Sequence, residues 1–167
     1  MLSPKEREEI EHDLTHYPNK RAACIEAMKI VQRHRGWVSD EAIRDIAEIC
    51  EMGAAELEGV ATFYNQIYRK PVGKHVVLVC DSVTCHVMGY QPVQEKLLSC
   101  VKAKLGQISP DGEFTVIPAQ CLGNCDHAPT LMIDDDTHGD VTPDQVEGLL
   151  SAYRGQPRRH LVDGGHG

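Results

Sequence analysis

The chain has 167 residues, 41% apolar and 25% charged, enough for one ordinary domain or one domain with a small satellite. A formal net charge of −8 argues against a nucleic-acid binder, and no apolar run approaches the ~20 residues that span a bilayer. The opening MLSPKEREEIEHDL has neither a basic nor an apolar signal region, so the chain is expected to stay in a reducing cytosol.

Residues 3–17 begin with a capping box, Ser3 with Glu6, and Pro4 holds the first helical position. Ile10, Leu14 and Tyr17 repeat at helical spacing, and Tyr17-Pro18-Asn19 ends the helix. A second helix runs from Arg21 to Arg35, with Ala22, Ile25 and Met28 on its stripe and Gly36 as its stop. Ser39 caps a third, with Ile43, Ile46, Ala47 and Cys50 facing inward and Gly53 at its C-terminal end. A fourth spans roughly Ala55 to Tyr64. Residues 1–68 therefore read as a bundle of short amphipathic helices, none stable alone, whose apolar stripes call for a partner surface. Thr62, Phe63 and Tyr64 read as core packing, with partial burial at a domain or partner interface as the alternative, and Arg69 to Lys74 as a linker.

From His75 the periodicity changes. HVVLVC (75–80) reads as a buried strand, residues 87–104 as a helix with Leu105 near its apolar face, and 114–118 as a second strand. Thr130 to Ile133 is a third strand, Asp134 to Asp136 a solvated acidic turn, and His138 to Val141 a short fourth strand. Thr142 and Gln145 form a second capping box that opens a last helix through Tyr153. The order β-α-β-β-β-α places helices on a four-stranded sheet, a thioredoxin-like α/β layer. The expected division is a helical bundle over 1–72, the α/β domain over 73–154 and a mobile tail over 155–167.

Seven cysteines is a high and odd number for such a chain, and disulfides are uncommon in a reducing compartment. Four of them fall in two pairs, Cys80 with Cys85 (C-x4-C) and Cys121 with Cys125 (C-x3-C), and each pair follows a strand. Strands fix their ends, so four thiolates can converge as zinc or an iron–sulfur cluster requires. The gaps are wider than zinc knuckles favour, and no C-x-x-C is present for dithiol redox chemistry. The spacing favours a [2Fe–2S] cluster and leaves zinc open. Gly123 lets backbone N–H groups approach sulfur, Asn124 tolerates left-handed angles, and Ser82 and Thr84 can donate hydroxyls. Such a cluster with four thiolates is a dianion that one electron makes a trianion, so in an acidic protein it is hard to reduce. Cys24, Cys50 and Cys100 stand singly in helical patterns and read as inert thiols. His86 and His127 flank the pairs without being needed as ligands, and His12, His16, His34 and His75 read as solvated or capping residues.

Three stretches, EGVATFYNQIYRKPVGKHV (58–76), CDSVTCHVMGYQ (80–91) and PAQCLGNCDHAPTLMIDDDTHGDVTP (118–143), resemble the E-subunit family of respiratory NADH:quinone oxidoreductase (complex I) in its bacterial form. These are thioredoxin-like [2Fe-2S] ferredoxins, and the resemblance runs from the first helix to about Arg154. It implies a thioredoxin-like domain preceded by a small N-terminal helical bundle, with Cys80, Cys85, Cys121 and Cys125 as ligands of one [2Fe-2S] cluster. It implies as partners the flavin-binding F subunit, which carries FMN and the NADH site, and the large iron–sulfur G subunit. It further implies a place in the peripheral arm, on the cytoplasmic side of the inner membrane. The cluster would lie off the main electron path and exchange single electrons with the flavin; the isolated chain would have no turnover. Related subunits occur in soluble NAD-linked hydrogenases and formate dehydrogenases, which stand as the alternative assembly. A zinc-stabilised interaction module without redox function is the alternative from another class.

Overall fold

Ser3 starts the first helix as its sequence requires. Its hydroxyl accepts the Glu6 N–H at 3.2 Å, and the Glu6 carboxylate accepts the Ser3 N–H at 2.6 Å, opening α1 (Pro4–Leu14). The computed structural model describes residues 1–158, which divide into two units, Met1–Pro71 and a second from Val72. Asn19 caps a 3-10 turn, Lys20–Ala23, that tightens the expected start of the second helix and feeds α2 (Cys24–Arg35). Gly36 stops α2 at φ 81, a left-handed angle glycine adopts without strain. α3 (Asp40–Ile49) is capped by Ser39. It is followed by left-handed Glu51, at φ 56, and not by Gly53, which is instead the N-cap of α4 (Ala54–Phe63).

The apolar stripes of these helices meet one another. Ile10, Met28, Val31, Val38, Ile46, Cys50, Leu57 and Ala61 form one fully buried core. At about 2 kcal/mol for each large aliphatic side chain, this packing supplies what the short helices lack alone. The stripes therefore do not need an outside surface, contrary to the sequence expectation. Thr62, Phe63 and Tyr64 are also not core, Phe63 being 79% exposed. Leu57 and Ala61 lie one turn apart on the inner face, and two further residues rotate Phe63 about 200° around the helix. The start of the expected linker is anchored rather than loose. The Gln32 side chain donates to Gln66 O and accepts the Tyr68 N–H, both at 2.7 Å. Arg69 donates to Val38 O, to Glu58 at 2.9 Å and to Asp40 at 2.7 Å.

In the second unit β1 (His75–Cys80), β2 (Phe114–Ala119), β3 (Leu131–Ile133) and β4 (Asp136–His138) form one sheet in the order β2-β1-β3-β4. β1 and β2 are parallel, and β3 and β4 continue antiparallel. β1 is central and buried on both faces, which explains its unbroken apolar run. Val77, Val79, Phe114, Val116, Leu131 and Ile133 share one core with α6 (Tyr90–Val101) and α7 (Pro143–Tyr153). The expected 87–104 helix is split. A short α5 (Val83–Val87) ends before Gly89, whose φ of 89 turns the chain into α6, and left-handed Lys102 stops α6 before the exposed Leu105. The fourth strand falls earlier than expected, because β3 and β4 form a tight hairpin through Asp134 and Asp135.

His75 and Asp134 depart most from the sequence reading. His75 reads as solvated or capping and Asp134 as part of a solvated turn, yet both side chains are fully buried. His75 Nδ1 lies 2.7 Å from the Asp134 carboxylate and its Nε2 lies 3.1 Å from Gln156 O. Asp134 also accepts the Val76 N–H at 3.1 Å and lies 3.5 Å from Arg158 Nε. The reason is topological: His75 opens the central strand, and Asp134 N–H continues the pairing to Val76 O, so both side chains turn inward. In the stretch expected to be a mobile tail, Gly155 N–H donates to Glu113 at 2.9 Å, and Gln156 and Arg158 make the contacts above. The remainder of that expected tail, 159–167, lies outside the described residues. Among the described residues no helix is long and apolar enough to cross a membrane.

Candidate metal centre

The parallel pairing of β1 with β2 sets the site. Cys80 stands opposite Ala119, so both strands end at the same edge of the sheet and both cysteine loops leave from there. Cys80 is the last residue of β1, and its N–H donates to Thr130 O at 3.1 Å. The loop after it is helical rather than irregular. α5 begins after Ser82, its His86 N–H bonds Ser82 O at 2.8 Å, and this turn folds Cys85 back against Cys80. Cys80, Cys85 and Ala128 form a small buried cluster under half-buried Tyr90 and Leu122.

The second pair is exposed. Gly123 turns the chain at φ 77 and sends its N–H to Cys121 Sγ at 3.4 Å. A 3-10 turn, Cys125–His127, then brings Cys125 Sγ to 3.4 Å from Cys121 Sγ. Asn124 has an ordinary negative φ, −123, and not the left-handed angle its type suggested. Its side chain instead donates to Thr130 Oγ1 at 3.3 Å. Thr84, on α5, hydrogen-bonds Cys125 across the two loops.

Cys85, Cys121 and Cys125 differ in acidity. Burial pushes Cys85 up to about 11, against a hydrogen bond from the Thr130 N–H. The Gly123 N–H and then Cys125 hold Cys121 below its usual value, and Cys121 in turn raises Cys125. Of the outer pair, Cys121 is therefore the more acidic thiol. A thiol binds metal as its thiolate, so a metal held here would displace the thiol protons.

The sulfurs stand as an inner and an outer pair. No group of three or more His, Cys, Asp or Glu side chains among the described residues is gathered as around a single ion. A cluster of two irons, each taking two thiolates, suits this paired donor set, and the N–H and hydroxyl donors aimed at sulfur suit its negative charge. The other cysteines lie elsewhere. Cys24 and Cys50 are buried in the helical bundle, with burial raising both and Cys50 reaching about 11, and Cys100, on α6, packs half-buried against the core of the second unit. His127 is occupied by Asp140 at 2.8 Å, and His86 lies against the Tyr90 ring. Sequence reasoning missed Thr130, which touches both loops; its place between Ala128-Pro129 and a strand was the available signal.

Residues 10–154 match the thioredoxin-like [2Fe-2S] ferredoxin family, and the chain belongs to that family, which carries one [2Fe-2S] cluster. Among its relatives, the E subunit of NADH-quinone oxidoreductase from Pseudomonas aeruginosa is 55% identical over 153 residues, covering 92% of each chain. The E subunit from Escherichia coli K12 is 54% identical with the same coverage. That from Buchnera aphidicola subsp. Acyrthosiphon pisum is 48% identical over 92% of this chain and 94% of its own. These relatives are subunits of an oxidoreductase. The fold is also similar to part of an NAD+-reducing [NiFe]-hydrogenase, with a TM-score of 0.64 at 19% identity over 80% of this chain and 22% of that one.

Proposed function

We propose that Cys80, Cys85, Cys121 and Cys125 hold the family's [2Fe-2S] cluster, and that this chain is the electron-transfer subunit of an NADH:quinone oxidoreductase. In this reading single electrons pass between that centre and the FMN of the F subunit, with the G subunit beside it, in the peripheral arm on the cytoplasmic side. The observation that carries it is the pairing of an inner and an outer cysteine couple at one sheet edge, in a chain 55% identical to the E subunit of an NADH-quinone oxidoreductase. The bound cluster supplies a low-potential site that stores one electron.

The protein's residues do the rest. Cys80 and Cys85 are shielded from water, so one side of the site is a low-dielectric wall. Cys121 and Cys125 face outward, the side from which a redox partner can come close. The Gly123 N–H, the Thr130 N–H and the Thr84 hydroxyl aim positive dipoles at sulfur and offset added negative charge. On α5, Val83 and Val87 stand 78% and 76% exposed, large apolar side chains that a partner surface would cover. The test is affinity purification of the tagged chain from its own cells, followed by NADH reduction and EPR. Co-purification of membrane-arm and FMN-bearing subunits is expected. Recovery with soluble hydrogenase or formate dehydrogenase subunits alone would overturn the assembly.

A further inference from the structure

Thr130 is buried, and it is bonded to both cysteine loops through three separate groups. Its carbonyl accepts the Cys80 N–H at 3.1 Å. Its N–H faces the Cys85 sulfur. Its hydroxyl lies 3.1 Å from Asn124 O and 3.0 Å from His127 O, the carbonyls on either side of Cys125 and Asp126, and accepts from Asn124 Nδ2 at 3.3 Å. The backbone bonds to Cys80 and Cys85 would survive any substitution other than proline. The hydroxyl is different, because it links the exposed second loop, at Asn124 and His127, to the residue that leads into β3, beside the contacts Asp140 makes with His127.

We infer that Thr130 is a positioning residue that clamps the second cysteine loop to the first, holding the inner and outer sulfur pairs at a fixed separation. This rests on the assignment of the four cysteines proposed above. The hydroxyl's one proton is shared here between two carbonyls, and one of its two lone pairs accepts from Asn124, so a methyl in its place loses all three contacts. Without the hydroxyl the loop from Cys121 to His127 keeps its sulfur contacts and the Asp140 contacts at His127 but loses the hydroxyl's bonds at Asn124 and His127. The outer pair is then free to shift, and a cluster bridging the two pairs is held less tightly. Outer-shell partners of this kind change metal affinity by roughly 10- to 100-fold.

The experiment compares wild type, Thr130→Val, Thr130→Ser and Thr115→Val in the full, cluster-loaded chain. Thr115 is a control of matching chemistry, a buried threonine whose hydroxyl accepts the Gly73 N–H at 2.8 Å near the opposite end of β1 and β2 from the cysteine loops. Two readouts are taken, the rate of iron release to EDTA and the line width of the EPR signal after reduction. Thr130→Val is expected to release iron at least about tenfold faster and to broaden the signal. Thr130→Ser, which keeps the hydroxyl, and Thr115→Val should match wild type in both. Thr130→Val indistinguishable from wild type, or Thr115→Val as fast as Thr130→Val, overturns the clamp. If Thr130→Val does not fold, Thr130→Ala against Thr130→Ser carries the same comparison. A wild type that holds no cluster on these cysteines refutes the underlying reading and the clamp with it, whereas a loaded Thr130→Val equal to wild type refutes the clamp alone.

Discussion

The Glu6–Arg35 pair gives the helical bundle a stability that depends on acid in a calculable way. Glu6 is 2% exposed, and its two oxygens take the Arg35 Nε and Nη2 groups at 2.6 Å each. The Arg35 bonds first, then the Ser3 bonds, outweigh burial and hold the carboxyl at about 2 rather than 4.5. A carboxyl depressed on folding contributes stability above its unfolded value and loses it as pH falls towards the folded one. That contribution amounts to about 3 kcal/mol at neutral pH, of which about 2 is gone by about pH 3. Glu6→Gln removes the titration and leaves Arg35 without its counter-charge; Arg35 is 29% exposed, so the penalty sits at the low end for a broken ion pair. The assay is urea unfolding of cluster-free wild type and Glu6→Gln, read by fluorescence of Trp37, the chain's one tryptophan, which belongs to the first unit. The variant should be about 2–3 kcal/mol less stable at pH 7, with the gap narrowing by about 2 kcal/mol towards pH 3. A gap that stays constant with pH, or none at pH 7, refutes the assignment of the buried pair as the source.

Three further outcomes are expected. Cys80→Ser and Cys121→Ser should each lose most bound iron and sulfide by chemical analysis, while Cys50→Ser, in the bundle core, keeps both; equal loss from all three contradicts the ligand set. In the cluster-free chain near neutral pH, iodoacetamide should modify Cys121 before Cys50 or Cys85, because the Gly123 N–H lowers the first and burial raises the others to about 11. Peptide mass spectrometry reads the order, and a reversed order counts against it. Asp134→Asn should destabilise the second unit by about 3 kcal/mol or more in urea, since it removes the buried carboxylate that meets His75, the Val76 N–H and Arg158 at the end of β1. A loss under about 1 kcal/mol would show that this buried carboxylate contributes little there.

Local chemistry was readable in the sequence wherever it decides structure over a few residues. Both capping boxes, the glycine stop after Arg35, the buried HVVLVC strand and the two cysteine couples are of this kind. Features made by distant partners were not. His75 and Asp134 are 59 positions apart, and only the β1–β3 pairing makes them a buried couple. Phe63 looked like core because it follows an apolar helix, yet its phase past Ala61 turns it outward. Gly89 could have been read as a break in the 87–104 pattern, and that break creates the short helix which returns Cys85 to Cys80. The cysteines announced a site, but Thr130, with three groups spread over both loops, has meaning only once β3 is placed beside β1.

The most direct test of the central claim is a reductive titration of the purified wild-type chain, followed by EPR and metal analysis. The predicted result is two irons and two sulfides per chain, uptake of one electron, and a rhombic S = 1/2 signal integrating to about one spin. A colourless protein holding one zinc and taking up no electron would contradict the account.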